Sequence, residues 1–298
     1  MNKSILSNKT KWSDQVKILS EALPYMRQFS GETIVIKFGG HAMADPELAK
    51  FFALDIVLLR QVGIHPIVIH GGGPQIETML EKLGIKSSFI NGLRVTDEKT
   101  MDIVEMVLSG SINKDIVSKI NTAGGRAVGV CGKDGNLLYA EKIKLPISSS
   151  VRDEDLGLVG EPKIVDPHIL EAFKTSNIIP VIAPIGIGPN GETLNINADT
   201  VAGAISSATK ASRLYMLTDV PGVIGNDGNL ISDISISEAE QLMSEGIITG
   251  GMIPKIKTCI QAINSGVECA AILDGTVRHS ILIELFTAGG AGTLLKTN

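Results

Sequence analysis

A lysine and two glycines follow the first apolar run of the chain, and their types indicate an anionic ligand. Residues 34–36 of "IVIKFGG" are apolar like a buried strand, yet Lys37 adds a positive charge at its end, and Gly39 and Gly40 lack side chains. Burying an unpaired charge is costly. Glycines also let backbone N–H groups approach a ligand closely. This stretch therefore predicts a site where a lysine and backbone amides meet an anion.

A second glycine turn has the features of a phosphate-binding loop. In "IVIHGGGPQI" a strand pattern ends at Gly71, Gly72 and Gly73, and Pro74 suits the first turn of a helix. Backbone N–H groups at a helix N-terminus attract anions. A tight turn without a ligand is the alternative, but two such turns, one with a lysine, favour an anion site.

A third glycine turn precedes another lysine. In "ITGGMIPKIKTCI" Gly250 and Gly251 come before a predicted helix, with Lys255 in its first turn. A cation there opposes the helix dipole. An ordinary solvated lysine is the alternative, whereas a lysine directed at phosphate would explain the unfavourable position.

Polar residues in three further stretches complete the candidates. "NINADTVAGAI" predicts a helix with Asp199 as its N-cap, and Asn195 and Asn197 can face one side of a strand. "NGLRVTD" offers Arg94 in a loop before a helix, suited to a carboxylate, although an exposed arginine without a role is equally compatible. "LTDVPGV" (217–223) is a strand end with a turn that could contact a nucleotide.

Several familiar motifs are missing or misplaced. "VCGKDG" has Asp134 where a Walker A motif needs Ser or Thr, and neither HExxH nor CxxC occurs, so we predict no protein metal site. "GIGPNG" (186–191) matches GxGxxG and raises a dinucleotide-dependent oxidoreductase as an alternative. The sequence after it alternates like a strand, which favours a hairpin instead.

These candidates lie between alternating strand and helix patterns. Continuous apolar runs predict strands at 33–38, 66–70, 127–131, 179–183, 213–218 and 269–273. Amphipathic stretches predict helices at 46–62, 74–83, 97–109, 112–123, 199–209, 237–245 and 254–265. The alternation predicts an α/β fold, with a parallel or mostly parallel sheet and helices on both faces. Asp-Gly pairs predict inserted hairpins at 133–136 and 226–229.

Residues 11–30 predict an amphipathic helix ahead of the first strand. Trp12, Val16, Leu19, Leu23 and Met26 recur at helical spacing, and we expect Pro24 to kink or end the helix. The pattern leaves open whether this arm packs on its own domain or on another subunit.

Composition narrows the function classes. The chain has 298 residues, 44% of them hydrophobic, with a net charge of −5, which disfavours a general nucleic-acid binder. Three cysteines do not predict a disulfide framework. No apolar run approaches a membrane span and no secretory signal is recognisable, so we expect a soluble cytoplasmic protein.

Taken together, the quoted motifs resemble the amino-acid kinase family. "IKFGGHAM", "VIHGGGPQI", "NGLRVTD", "NINADT", "LTDVPGV" and "GGMIPK" occur in the family's order. "NGLRVTD" with "NINAD" is similar to the branch that phosphorylates the γ-carboxylate of N-acetyl-L-glutamate, giving N-acetyl-L-glutamyl 5-phosphate for arginine biosynthesis. The resemblance implies an open, mostly parallel sheet between helices, ATP as co-substrate and Mg²⁺ bound with the nucleotide. It divides the chain into an arm (1–30) and a kinase domain (31–298), with an acyl-acceptor half at about 31–185 and a nucleotide half at about 186–298.

The resemblance also implies a role for each candidate. Lys37 and Lys255 would stabilise the transferring phosphoryl group, with Asp199 holding both. Substrate and transfer-site residues would be Gly39, Gly40, Gly72, Gly73, Arg94 and Asn195. The nucleotide side would comprise Thr218, Asp219, Val220, Gly222, Val223, Gly251 and Met252.

A second resemblance concerns regulation. The arm and "HSILIELFTAGGAGTLL" are similar to the arginine-inhibited branch, whose N-terminal helices interlace dimers into a hexamer. The matching arginine-site residues are Tyr25, Lys210, Glu284 and Gly290. Ala271 departs from this pattern, because several arginine-sensitive members carry histidine there, so the strength of inhibition is not implied. Some relatives bind the PII nitrogen-signalling protein, and the sequence does not decide this for the chain.

The sequence alone leaves alternatives to a kinase of N-acetyl-L-glutamate. Other family members phosphorylate glutamate, aspartate, carbamate or UMP, and the two branch-specific motifs disfavour them. A non-catalytic amino-acid sensor on the same scaffold is disfavoured by the presence of Lys37, Asp199 and Lys255 together.

Overall fold

The fold is built around one eight-stranded sheet. The computed structural model describes residues 3–144 and 155–297, without the side chains of residues 3–15 and His41. The sheet strands are β1 (Thr33–Phe38), β2 (His65–His70), β5 (Ala127–Cys131), β8 (Ile179–Ala183), β11 (Arg213–Thr218), β12 (Asp233–Ser235), β13 (Cys269–Asp274) and β14 (Gly292–Lys296). Their order is β12-β14-β13-β11-β1-β2-β8-β5, and only the β13–β14 pair is antiparallel. The predicted mostly parallel α/β fold is confirmed.

Alternate side chains of β1 belong to two apolar clusters, one on each face of the sheet. Ile34, Ile36 and Phe38 join one apolar cluster, while Val35 joins the other. Because strand side chains alternate, Lys37 shares the face of Val35. The sequence thus directs Lys37 towards the helices that cover that face.

The helices pack on both faces of the sheet. They are α1 (Lys3–Phe29), α2 (Pro46–Gln61), α3 (Gly73–Lys82), α4 (Glu98–Glu105), α5 (Asn113–Thr122), α6 (His168–Thr175), α7 (Ala198–Ala208), α8 (Ile236–Ser244), α9 (Met252–Asn264) and α10 (Ser280–Phe286). Apolar residues of α7 and α9 lie in the Val35 cluster, and those of α2 and α5 lie in the opposite cluster. In the described part of the chain, none of these helices has the length and apolar character needed to span a membrane.

The predicted helices 97–109 and 112–123 are parts of one longer helical stretch. A π-helical segment, Met106–Ile112, joins α4 to α5. Such insertions are rare and often lie at functional sites. Here Leu108 of the segment lines a cavity described below.

A second, small sheet closes on itself beside the main one. It contains β6 (Leu138–Lys142), β7 (Val159–Val165), β9 (Ile185–Ile187) and β10 (Thr193–Ile196). The strands β3 (Phe89–Ile90) and β4 (Leu93–Arg94) form a separate, two-stranded antiparallel sheet. Arg94 therefore belongs to a short strand rather than to a loop.

Of the three turns that the sequence predicted as chain reversals, two are observed and one is not. "GIGPNG" connects the antiparallel pair β9–β10, so it is a hairpin and not the strand–turn–helix of a dinucleotide site. The predicted hairpin at 133–136 is wrong: a 3₁₀ turn there leads from β5 of the main sheet to β6 of the small sheet. At 226–229 the chain does reverse, with an antiparallel bridge between Ile224 and Leu230.

The N-terminal arm forms one long helix. Contrary to one expectation, α1 does not end at Pro24 but continues to Phe29. Tyr25 and Phe29 pack on the core of the same chain, whereas Val16, Leu19 and Leu23 are more than half exposed. Among the described residues, the predicted apolar stripe is therefore mostly exposed, and only Met26 at its C-terminal end is partly buried. Trp12 belongs to the same stripe, but its side chain lies outside the described residues.

Candidate active site

Asp199 joins the two lysines that the sequence singled out. Its Oδ1 lies 3.0 Å from Lys37 Nζ, and its Oδ2 accepts a 2.7 Å hydrogen bond from Lys255 Nζ. Lys37 comes from the end of β1, and Lys255 from the first turn of α9. Asp199 lies in the first turn of α7, but the N-cap is Asn197, whose side chain accepts from the Asp199 N–H. The prediction of Asp199 as N-cap was wrong, and its carboxylate is instead free to pair with the lysines.

Burial and neighbouring charges act on the pKa values of Lys37 and Asp199 in this cluster. Burial lowers the pKa of Lys37, and the charge of Lys255 adds to this, while Asp199 opposes it. Burial acts to raise the pKa of Asp199, but the charges of Lys37 and Lys255 prevail and hold it below its ordinary value. Two lysine side chains thus share a single carboxylate, and this excess of cationic groups suits an anionic ligand.

Gly39 has a structural reason to lack a side chain. A Cβ at this position would stand 2.5 Å from Lys37 Nζ and 2.9 Å from its Cε. Gly39 therefore gives the lysine side chain room to bend over the end of its own strand. Gly40, with φ of +69°, adopts the left-handed conformation that favours glycine and lies beside Asp219.

The second glycine turn lies next to the first. Gly71 N–H donates to Phe38 O at 2.9 Å, which ties the ends of β1 and β2 together. Gly72 and Gly73 line a cavity of about 310 Å³ together with Lys37, Asp199 and Lys255. Two of the three predicted glycine sites thus meet at the carboxyl ends of adjacent parallel strands, where α/β folds bind ligands.

Arg94 lines the same cavity and is nearly buried. Its Nη1 donates to Glu77 Oε2 and to Ser87 Oγ, and its Nη2 donates to Gly73 O at 3.2 Å. The ring of Phe89 stacks against the guanidinium at 4.6 Å. Arg94 is therefore not an exposed arginine, contrary to the alternative considered from the sequence. The guanidinium is held in a set orientation at the cavity wall.

Asn195 lies across the cavity and is linked to Arg94 through Thr96. Asn195 Nδ2 donates to Thr96 Oγ1 at 3.2 Å, and that hydroxyl donates to the Arg94 carbonyl at 2.8 Å. Thr96 is fully buried. A single hydroxyl therefore couples two residues that the sequence assigned to the acceptor substrate.

A second cavity, of about 400 Å³, collects the predicted nucleotide residues. All seven line it: Thr218, Asp219, Val220, Gly222, Val223, Gly251 and Met252. Lys255 lines both cavities and so stands between them. Ile224, Ile247 and Ile248 add apolar lining that sequence reasoning missed, since isolated isoleucines in loops resemble ordinary core residues.

The four residues of the predicted arginine site are only partly brought together. Glu284 lies beside Gly290 and accepts from the Ala291 N–H at 2.7 Å. Tyr25 belongs to α1, which contacts α10, the helix of Glu284. Lys210 occupies the turn after α7 with φ of +48°, and no hydrogen bond or ion pair among the described residues joins it to the other three. Ala271 is fully buried opposite Tyr215.

Comparison with known proteins agrees with this geometry. The family model described as the amino acid kinase family matches residues 32–274. The chain belongs to the amino acid kinase family. An acetylglutamate kinase from Rhodospirillum rubrum is 60% identical over 96% of this chain and 94% of its own length. Another, from Parvibaculum lavamentivorans, is 58% identical over 95% of this chain and 94% of its own length.

Solved structures extend the comparison. N-acetylglutamate synthase from Neisseria gonorrhoeae, complexed with coenzyme A and N-acetyl-glutamate, superposes with a TM-score of 0.83 at 26% identity over 95% of this chain. Its complex with coenzyme A and L-arginine gives 0.80. The chain spans 63% of the synthase's length in the first complex, so the similarity covers one part of that larger protein.

Proposed function

We propose that this member of the amino acid kinase family transfers the γ-phosphoryl group of ATP to the γ-carboxylate of N-acetyl-L-glutamate, as an acetylglutamate kinase of arginine biosynthesis. One observation carries the proposal: Asp199 holds Lys37 and Lys255 together where the two cavities meet. The identity of 60% over nearly the whole chain to an acetylglutamate kinase supports the choice of acceptor.

The chemistry needs charge stabilisation rather than a general base. A carboxylate is already ionised near neutral pH, so its oxygen can bond to the γ-phosphorus while the bond to the β,γ-bridging oxygen breaks and ADP keeps the electron pair. An anion must then approach an anion, and phosphoryl transfer depends on positioning and electrostatics. Lys37, Lys255 and the N–H groups of the glycine turns would offset the negative charge.

We assign the acceptor to the 310 Å³ cavity and ATP to the 400 Å³ cavity. Arg94 would bind a carboxylate of the acceptor, and Asn195 would donate to or accept from its amide group. The apolar lining by Ile224 and Ile248 suits an adenine ring. Lys255, shared by both cavities, would contact the phosphate that moves between them.

Mg²⁺ would enter with the nucleotide. Among the described residues, no group of three or more His, Cys, Asp or Glu side chains is arranged to hold a metal ion. Mg²⁺ commonly binds through substrate phosphates and few protein ligands, so we propose that the nucleotide phosphates would supply most of its oxygen ligands. When bound, it would neutralise part of the phosphate charge.

The test is ADP release from Mg-ATP with a panel of acceptors: N-acetylglutamate, glutamate, aspartate, carbamate and UMP. We expect turnover only with N-acetylglutamate. Turnover with another acceptor would keep the mechanism and overturn the substrate. Silence across the panel from folded protein would favour the non-catalytic sensor.

We further propose that the protein is a hexamer of interlaced dimers that arginine inhibits. The exposed stripe of Val16, Leu19 and Leu23 supports packing of α1 on another copy of the chain. The proximity of Glu284 to Gly290, and the arginine complex of the similar synthase, support an arginine site near α10. A cytoplasmic location, where ATP is supplied, completes the proposal, and PII binding stays undecided.

A further inference from the structure

A buried histidine stands directly behind the second glycine turn. His70 ends β2 and is completely buried. Its Nδ1 lies 2.8 Å from the carbonyl oxygen of Gly71, the first glycine of the turn. Burial lowers the pKa of His70 to about 4, so the imidazole is neutral at physiological pH.

Asn113 contacts the other ring nitrogen from the opposite side. This residue begins α5, immediately after the π-helical segment, and is also fully buried. Its Nδ2 lies 3.2 Å from His70 Nε2 and donates to Val181 O at 2.9 Å. Its Oδ1 accepts a hydrogen bond from Lys114 Nζ at 3.1 Å.

These contacts determine which ring nitrogen of His70 carries the proton. A lysine ammonium can only donate, so Asn113 must turn its oxygen to Lys114 and its NH₂ group to His70. His70 Nε2 must then accept. A neutral imidazole has one N–H, which is therefore on Nδ1 and donates to the Gly71 carbonyl.

The direction of that carbonyl sets the direction of the next amide. The Gly71–Gly72 peptide is trans, so its C=O and N–H point to opposite sides. With the Gly71 carbonyl held on His70, the Gly72 N–H points away from His70. Gly72 itself lies against Leu108 and Ile112 of the π-helical segment, which limits movement of the turn.

We propose that His70 and Asn113 are positioning residues for phosphoryl transfer: through the Gly71 carbonyl they orient the Gly72 N–H towards the transferring group. This inference rests on the proposed function, because it assigns the Gly72 amide to the phosphoryl group. Neither residue lines the cavity, so each acts through the turn and not by contact with substrate.

The decisive variant is Asn113→Asp, which keeps the size of the side chain. A carboxylate accepts but cannot donate, so the single proton of a neutral His70 is drawn to Nε2, and the bare Nδ1 then faces the Gly71 oxygen. Because a carboxylate also favours a doubly protonated ring, kcat is compared at high pH, where the ring is neutral. Because a misdirected oxyanion-type donor acts mainly on the transition state, we expect kcat to fall about 10-fold or more. The KM values for ATP and N-acetylglutamate should stay within about threefold.

Matched variants separate orientation from folding. His70→Asn places an amide donor near the position of Nδ1 and should retain most of kcat, whereas His70→Gln lacks a donor there and should lose it. Asn121→Asp makes the same chemical change on α5 at a residue whose side chain hydrogen-bonds to the backbone of Ala127, and it should leave kcat unchanged. Thermal unfolding of each variant checks that the fold is intact.

Two results would overturn the inference. One is a folded Asn113→Asp enzyme with the kcat of the wild type. The other is equal loss in His70→Asn and His70→Gln together with lower melting temperatures, which would assign both residues to folding alone. A wild-type protein that is silent with N-acetylglutamate would instead refute the proposed function, so the two failures are distinguishable.

Discussion

Lys37 can be buried because Asp199 provides a charge between it and Lys255. Lys255 donates a hydrogen bond to Oδ2 at 2.7 Å, and Lys37 Nζ pairs with Oδ1 at 3.0 Å. An ammonium group has three N–H donors, so Lys37 retains donors for a further acceptor. In the proposed mechanism that acceptor is the phosphoryl group in transit.

The first prediction concerns both lysines. We expect Lys37→Ala and Lys255→Ala each to lower kcat about 100-fold or more, because each removes charge stabilisation of the transition state. Steady-state kinetics with N-acetylglutamate would measure this. Lys257→Ala is the matched control, since Lys257 is exposed on the same helix two residues further on. Near-normal turnover in either variant would remove that lysine from the mechanism.

The second prediction concerns Thr96, which lies within "NGLRVTD" but was not predicted as a site residue. Thr96→Val keeps the shape but removes the hydroxyl that links Asn195 to the Arg94 carbonyl. We expect the KM for N-acetylglutamate to rise about fivefold, the cost of roughly 1 kcal/mol of hydrogen bonding, with the KM for ATP unchanged.

The control for Thr96 is the conservative variant. Thr96→Ser retains the hydroxyl and should keep a KM for N-acetylglutamate close to that of the wild type. Equal behaviour of the valine and serine variants, or a parallel rise in the KM for ATP, would contradict the coupling role.

At the scale of elements, the site is formed by strand ends that the sequence could locate. All six predicted strands of the main sheet are confirmed, because strands buried on both faces read as continuous apolar runs. Their carboxyl ends bring Lys37 and the second glycine turn together. The grouping of Asp199 with both lysines required the tertiary structure, since 162 positions separate Lys37 from Asp199.

Other elements could not be predicted correctly from the sequence pattern. Of the small sheet, the sequence predicted the hairpin at "GIGPNG". Its strands β6 and β7 were missed because exposed residues interrupt them, so they lack a continuous apolar run. The π-helical segment has the apolar pattern of an ordinary helix, so two helices were predicted where one interrupted helix exists. At 133–136 the Asp-Gly pair correctly indicates a turn, but local sequence cannot tell that the turn connects two different sheets.

The third prediction separates the two glycines that begin α3. A Cβ on Gly72 would stand 2.5 Å from Ile112 Cδ1 and 2.6 Å from Leu108 Cδ2, whereas one on Gly73 would meet nothing within 4 Å. We expect Gly72→Ala to lower stability by about 1 kcal/mol through overpacking. Gly73→Ala should leave stability unchanged yet reduce kcat/KM, because its methyl group enters the acceptor cavity.

Calorimetry and steady-state kinetics on both glycine variants would test this. The two proteins serve as controls for each other, since each adds one methyl group to the same turn. A destabilised Gly73→Ala protein, or one with full activity, would show that the cavity wall is assigned wrongly.

At the scale of the whole molecule, the arm presents two different faces. Tyr25 and Phe29 pack on their own domain, while Val16, Leu19 and Leu23 lie on another side of the helix. Packing on its own domain, one of the two alternatives that the sequence left open, is therefore observed for the C-terminal end of the arm, while packing on another subunit stays a prediction for the stripe. The C-terminal end of the arm is part of the domain, and its exposed stripe is available to another subunit.

The last prediction tests that stripe. Deleting residues 1–26 should convert a hexamer into dimers and raise the arginine concentration needed for inhibition, because the deletion removes the stripe and Tyr25 together. The point variant Leu19→Glu with Leu23→Glu should also dissociate the hexamer, since charges replace the apolar contact, while Tyr25 is retained. Lys17→Gln on the polar side of α1 is the control, because the exposed ion pair of Lys17 with Glu21, at 3.8 Å, contributes little to stability.

Light scattering reports the assembly, and a truncated protein that remains hexameric would refute the role of the arm. If the double glutamate variant forms dimers that arginine still inhibits fully, the arginine site is complete within one chain and does not depend on assembly.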